Sequence, residues 1–287
     1  MTAPTRFPEM SILGVYAHPD DEQGISGTMR ILIERGVRTG LVCATRGEVG
    51  EISDPTLATP ESLGDVREDE LRRAAAVIGI HEVHFLGYRD SGMAGSPPND
   101  DPRAFIRADP VEAVGRIVRA IRRFQPTLVL TFDPSGVYGH PDHIAVNRWT
   151  TEAFHAVADT DKYPVAEFGH PFQPRRLYYS SVSRSLLIAF DQILRQQNLP
   201  SIFTGVDINQ MGLPDEMITH RVMVAPYVAL KRKSLEEHRT QMNPNTALAM
   251  ISEEDWNRIR SVEMFALVAG DPLPPNADDQ DLFTGLH

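Results

Sequence analysis

The chain has 287 residues, of which 41% are hydrophobic, and 28 basic against 39 acidic side chains give it a net charge of −11. That length suits one large domain, or one domain with a substantial insertion, and the acidic balance argues against a nucleic-acid partner, which needs a positive footprint. No apolar run approaches the ~20 residues of a transmembrane segment. Residues 1–10 lack the apolar core of a signal peptide, and the single cysteine, Cys43, sits in the apolar run Leu41–Ala44 as an inert thiol. A reducing, cytoplasmic setting is expected.

Ile12 to Ala17 reads as a buried strand that ends abruptly in His18-Pro19-Asp20-Asp21-Glu22. A helix follows, with Ile25, Met29, Leu32 and Ile33 on one face and Gly36 as its stop. Arg38–Ala44 is a second strand, opening onto the glycine-punctuated loop Thr45–Glu51. Asp65–Ile78 is a helix closed by Gly79, and Glu82–Leu86 is a third strand with the tip Gly87-Tyr88-Arg89-Asp90-Ser91-Gly92. Residues 93–108 are rich in Pro, Gly, Asn and Asp and read as a mobile or functional loop.

Asp109-Pro110 starts the next helix, a capping carboxylate with Pro in the first turn, and Val111, Val114, Ile117, Val118 and Ile121 line one face of it. Thr127–Phe132 is a fourth strand, opening onto Asp133-Pro134-Ser135-Gly136-Val137-Tyr138-Gly139-His140-Pro141-Asp142-His143. A helix from Pro141 to about Val157 follows. Beyond it the pattern predicts a strand at 176–180, a helix at 185–197 and a small hairpin within 198–225. It also predicts a helix over Tyr227–Met242. Ser252 caps another helix, with Trp256, Ile259, Val262 and Phe265 on one face.

This β-α-β-α-β-α-β-α order predicts an α/β, Rossmann-like fold: a mainly parallel sheet with helices on both faces, plus a smaller C-terminal α/β portion. Residues 1–287 are read as one catalytic domain, with a core at about 10–160 and a substrate-shaping remainder at 161–287. With the first strand central and the second and third strands on one side of it, strand order reverses between strands one and four. Ligands bind in such folds at that crevice, which both polar tips border.

His18 and Asp21 are three apart at a helical turn, so both side chains can converge on one point; His140 and His143 share that spacing. His18, Asp21 and one histidine of the second tip make a two-His, one-carboxylate set with an open position, as in catalytic zinc sites, though Fe2+ takes the same donors. Asp20, adjacent to Asp21, is placed to take a proton from an activated water. The remaining histidine can serve the developing oxyanion, and Asp142 can orient that imidazole. The first β-α turn has no G-x-G-x-x-G, and its acids would repel a pyrophosphate, so a dinucleotide-dependent oxidoreductase is disfavoured.

Ala17-His18-Pro19-Asp20-Asp21-Glu22 and His140-Pro141-Asp142-His143 resemble the two signatures of the PIG-L/LmbE-like family of zinc-dependent N-acetylglucosaminyl deacetylases, which includes mycothiol-pathway deacetylases and S-conjugate amidases. Thr45–Glu48, Arg67 with Glu70-Leu71, Arg89–Met93, His238–Gln241 and Asp281–Leu286 extend the resemblance over most of the chain. The resemblance implies His18, Asp21 and His143 as ligands of Zn2+ (or Fe2+), and Asp20 as general base. It implies His140 as stabiliser of the tetrahedral intermediate, with Asp142 bonded to it, and Tyr138 as a mobile group that polarises the amide carbonyl. Arg67, Asp90 and Glu48 would hold sugar hydroxyls. The implied partner is a small N-acyl amino sugar, hydrolysed to acetate and a free amine. An amidase on a larger N-acyl glucosaminide such as a thiol S-conjugate is the nearest alternative, and a non-catalytic metal- or sugar-binding protein the alternative from another class. A homo-oligomer is compatible with all of these.

Overall fold

The computed structural model describes residues 7–286 apart from 202 and 204–206. Strand β1 (Ser11–Tyr16) is buried at every position, because a central strand of a parallel sheet is covered on both faces. A short 3-10 turn at Asp21–Gly24 leads into α1 (Ser26–Glu34), which buries Met29 and Leu32. Then follow β2 (Arg38–Cys43), α2 (Leu63–Ile78), β3 (Glu82–Phe85), α3 (Pro110–Phe124) and β4 (Leu128–Phe132). The Asp109 side chain accepts from the N–H groups of Val111 and Glu112, as its capping position demands. Next come the short turn α4 (Gly136–Gly139), α5 (Pro141–Ala156), the short α6 (Val165–Phe168), β5 (Arg176–Ser181) and α7 (Arg184–Gln196). The chain closes with β6 (His220–Met223), α8 (Val228–Glu236), the short α9 (Ala247–Met250), α10 (Glu253–Arg260) and β7 (Val262–Gly270).

The seven strands form one sheet in the order β3-β2-β1-β4-β5-β7-β6. Pairing is parallel from β3 through β5 and antiparallel at β5/β7 and β7/β6. The chain moves outward through β1, β2 and β3, then crosses back to β4 and β5. Right-handed crossovers therefore place α1 and α2 on one face and α3 and α5 on the other. α8 joins the first layer by packing on α1 and α2, while α3 packs on α5. Strand order reverses between β1 and β4, as expected, and both polar tips leave the carboxyl ends of these neighbours. The C-terminal portion extends the same sheet and carries two small apolar clusters, one around Leu187, Phe190 and Leu194 and one around Leu213 and Met264. No helix among the described residues is long and apolar enough to cross a membrane.

Four expectations are corrected. Val111 lies on the apolar stripe of α3 but is 61% exposed, because the first turn borders an open hollow beside Phe85 and Leu86. The hairpin expected within 198–225 falls partly on 202 and 204–206, outside the described residues; among the described ones β6 pairs with β7 from the far end of the chain. The helix expected over Tyr227–Met242 stops after α8, and the chain turns at His238 so that its side chains reach buried acceptors. Val262 and Phe265 share helical spacing with Trp256 and Ile259 but belong to β7. That long apolar run has strand partners on both sides, which outweighs a local helical period. The 93–108 loop is anchored through Phe105, which packs on Tyr88 and Trp149 at ring distances of 5.0 and 4.5 Å.

Candidate active site

The first tip is shaped by its own carboxylates. Asp21 Oδ2 accepts the N–H groups of Ala17 (3.0 Å) and His18 (2.7 Å), so the chain curls back over the end of β1 and Oδ1 is left for another partner. Asp20 is forced to φ 114°, ψ −18°. A non-glycine residue there carries roughly 1–3 kcal/mol of strain, which persists only where the surroundings over-determine it. The second tip has the same character. Val137 sits at φ 64°, and a Cβ on Gly136 would lie 2.7 Å from the Cβ of His143, so only glycine allows this close approach.

The tips meet as the sequence predicts. His18 Nδ1 lies 3.2 Å from His143 Nε2, His143 Nε2 lies 3.3 Å from Asp21 Oδ1, and His18 Nδ1 lies 3.7 Å from Asp21 Oδ2. His143 Nδ1 donates to the Gly136 carbonyl at 3.2 Å, which turns Nε2 toward His18 and Asp21. Its ring stacks on Phe132, the last residue of β4, at 4.0 Å and 12°. His18 Nε2 lies 3.2 Å from Asp142 Oδ2 and 3.5 Å from Asp90 Oδ1, so that nitrogen faces the two carboxylates and Nδ1 faces the cluster. Burial works against the charge of the ring, but Asp142, Asp90 and Asp21 raise its pKa above the ordinary imidazole value. Among the described residues, two sets of side chains bring donor atoms within 4.8 Å of one another and could hold a cation: His18, His140 and His143, and His18, Asp90 and Asp142.

His140 caps α5, and its Nδ1 accepts the Asp142 N–H at 3.2 Å, so its Nε2 carries the proton. Asp142 therefore differs from expectation. Only its backbone reaches His140; its carboxylate accepts the Ser91 N–H at 2.9 Å and faces His18. Oδ1 of Asp142 is buried without a hydrogen-bond partner among the described residues. The reason is helical geometry: residue 142 lies in the first turn of α5, about 200° around the axis from residue 140.

Charge follows this packing. Burial and the neighbouring Asp21 push the Asp20 carboxyl up to about 7, above the ordinary carboxylate range. Burial works against the Asp21 charge too, but His143 and His18 outweigh it and hold that carboxyl at about 2. Burial, with His18 and His143 beside it, pushes His140 down to about 4, so its ring is neutral. The two carboxylates of one dipeptide thus differ sharply, as an acid–base assignment requires.

The remaining expected residues rim the cluster. Asp90 Oδ1 accepts the Gly92 N–H at 2.8 Å and faces His18. Glu48 Oε2 accepts the Asp90 N–H (3.0 Å) and the Arg46 N–H (3.3 Å), so half of its carboxylate is committed to the loops. Arg67 donates from Nη2 to the Glu51 carbonyl at 3.0 Å, and its Nε is buried without a partner among the described residues. A Cβ on Gly50 would fall within 2.6 Å of that guanidinium. Tyr138 is 44% exposed, with its ring 5.0 Å from that of His143 and 6.2 Å from that of His140. Sequence reasoning missed Ser91, Phe132 and Glu22 as supports. The only available signal was their position at strand tips.

Residues 13–154 match the family model described as PIG-L, GlcNAc-PI de-N-acetylase. A 1D-myo-inositol 2-acetamido-2-deoxy-alpha-D-glucopyranoside deacetylase from Frankia alni is 37% identical over 289 residues, covering 95% of this chain and 99% of that one. A deacetylase of the same name from Thermobifida fusca is 38% identical, over 95% of this chain and 98% of that one. Among solved structures, the N,N'-diacetylchitobiose deacetylase of Pyrococcus horikoshii superposes with a TM-score of 0.62 at 20% identity, over 90% of this chain and 83% of that one. The 4-carboxy-2-hydroxymuconate hydratase GalB of Pseudomonas putida gives 0.58 at 18%, over 93% of this chain and 100% of that one. Those two likenesses concern the fold alone, and the second shows that the fold serves more than one chemistry. On the strength of its full-length relatives, the chain belongs to the PIG-L, GlcNAc-PI de-N-acetylase, family.

Proposed function

We propose that this protein hydrolyses the acetamide of a 2-acetamido-2-deoxyglucoside, releasing acetate and the free amine, with an inositol-linked glucoside as its first candidate substrate. The carrying observation is the pairing of a compact His18–Asp21–His143 donor set with a neighbouring carboxylate, Asp20, that is outside that set. Ligands about 2.0 Å from a tetrahedral Zn2+ lie about 3.3 Å from one another; His18 Nδ1 and His143 Nε2 are 3.2 Å apart, and Asp21 brings Oδ1 to 3.3 Å from the second and Oδ2 to 3.7 Å from the first. The outer nitrogens of both histidines are tied to Asp142 and the Gly136 carbonyl, which is how ligating imidazoles are oriented. His140 is excluded from the set because its Nδ1 accepts a backbone N–H and its Nε2 is protonated. The donors suit Zn2+ and Fe2+ alike.

A divalent cation held by His18, Asp21 and His143 would supply Lewis-acid polarisation of the amide carbonyl and lower the pKa of a water. Asp20 takes the proton of the attacking water as the new C–O bond forms. The His140 Nε2–H donates to the oxyanion, and its neutral ring does so without adding a full charge. Asp20 then passes its proton to the nitrogen as the C–N bond breaks, so the amine leaves neutral. Arg67, Asp90 and Glu48 hold sugar hydroxyls at the rim, and Tyr138, exposed at the mouth, reaches the amide carbonyl. Asp20 argues against a purely binding role, since a strained, half-buried non-ligand acid has little value there.

The test is amine release from GlcNAc, a GlcNAc-inositol, a chitobiose and an S-conjugated cysteinyl glucosaminide, with chelated and Zn-reconstituted protein. Metal-dependent release fastest from the GlcNAc-inositol supports the reading. Release only from the conjugate makes the protein an amidase, and no release from any member with metal bound refutes the sugar-deacetylase assignment.

A further inference from the structure

Asp20 must be held in a conformation it would not otherwise choose, and the atoms that hold it come from the other end of the chain. Both polar atoms of the Pro19–Asp20 peptide are engaged. The Pro19 carbonyl accepts Gln241 Nε2 at 2.8 Å, and the Asp20 N–H donates to Glu22 Oε2 at 3.0 Å. Glu22 Oε1 in turn receives His238 Nε2 at 2.8 Å and Gln23 Nε2 at 2.7 Å. Thr240 locks this segment to α2, donating its N–H and hydroxyl to Glu70 at 2.8 and 2.6 Å. Glu22, Glu70, His238 and Thr240 are all buried.

We propose that His238, Thr240 and Gln241 form a clamp that fixes the orientation of the Pro19–Asp20 peptide and thereby aims the Asp20 carboxylate at the reacting carbonyl. The clamp rests on the reading of Asp20 as the general base. The strain at φ 114° would be relieved by turning the Pro19–Asp20 peptide plane. That turn would break both grips at once, because one holds the carbonyl and the other the N–H of the same plane. Glu22 lies on the same tip as Asp20; His238 and Gln241, with Gln23 through its 2.9 Å bond to Ser234 of α8, tie that tip to the C-terminal part of the chain. These are positioning residues, since none of them lies among the reacting groups.

The test compares His238→Leu, Gln241→Met and His238→Gln with the wild type. A glutamine places its amide nitrogen near the position of the imidazole Nε2 and keeps the donor to Glu22. Amide hydrogen exchange of the 17–24 peptide is read in metal-free protein. kcat, KM and metal content are read after Zn reconstitution. Exchange in His238→Leu and Gln241→Met should accelerate at least about tenfold, and kcat should fall roughly 10–100-fold with KM and metal content held. His238→Gln should stay close to wild type in both. Unchanged exchange in both clamp variants, or a loss confined to KM or metal content, overturns the proposal. So does a His238→Gln protein as impaired as His238→Leu. Should His238→Leu fail to fold, Gln241→Met, which removes one bond, carries the same comparison. Accelerated exchange in a protein whose wild type releases no amine would leave the clamp standing and sink the deacetylase reading; unchanged exchange with an active wild type does the reverse.

Discussion

Replacing Asp142 by Asn probes how the two tips are joined. In the wild type, Oδ2 accepts the Ser91 N–H at 2.9 Å and faces His18 Nε2 at 3.2 Å. An asparagine has one acceptor oxygen in place of two. If that oxygen takes the place of Oδ2 it still accepts from Ser91 and faces His18 Nε2, and the amide nitrogen falls where Oδ1 lay buried without a partner among the described residues. What is lost is the negative charge that holds the outer nitrogen of His18 and makes Nδ1 the better donor toward a cation. Loss of such an outer partner weakens cation binding roughly 10–100-fold, which is about 1.4–2.8 kcal/mol at about 1.4 kcal/mol per decade. Competition for Zn2+ against a chromophoric chelator reads this directly, with thermal melting of the metal-free protein as the control for general damage. kcat at saturating metal should change much less than affinity. Unaltered affinity with a depressed kcat would refute the reasoning and return Asp142 to the His140 partnership expected from the sequence.

Asp20→Asn should lower kcat by roughly 10²–10⁴-fold through loss of general-base catalysis while metal content stays at wild-type level; a fully active variant would remove Asp20 from the mechanism. Lys231→Met strands Glu263, which is buried and, among the described residues, otherwise bonded to the N–H groups of Gly27 (2.9 Å) and Thr28 (2.7 Å) at the start of α1. Urea unfolding should show a loss of about 3 kcal/mol, partly restored in Lys231→Met/Glu263→Gln; a loss within experimental error would mean the pair is neutral. His220 is buried edge-on to Tyr178, at 5.2 Å and 83°, and burial, aided by Arg176, pushes it down to about 4. Between that value and an unfolded pKa of about 6.5 the unfolded chain binds the extra proton, so stability falls as pH drops through that window, by up to about 3 kcal/mol. His220→Phe should flatten the slope of stability against pH between about 6.5 and 4.5, and an unchanged slope would assign the acid sensitivity elsewhere.

The sequence by itself determined the fold class and which two strand tips meet at the candidate site. Apolar runs that end abruptly in His-Pro-Asp have few meanings at a strand end, and each β-α unit is a local pattern with its own stop signals, such as Gly79 at φ 93°. The family signatures could be read because they are contiguous. The partnerships were not legible. The carboxylate of Asp142 turned to His18 because neighbouring residues on a helix point apart, a relation that appears only when a second element supplies the partner. β7 was hidden in a helical period because its edges are defined by β5 and β6, which lie far away in sequence. Glu22 stands in the sequence as one more acid of the first tip, yet it is buried and bonded to His238. Local pattern thus selected the elements and the kinds of donor atoms. Only tertiary packing decided which atoms face one another, because hydrogen-bond pairing and the backbone strain at Asp20 depend on groups that the chain brings together from its two ends.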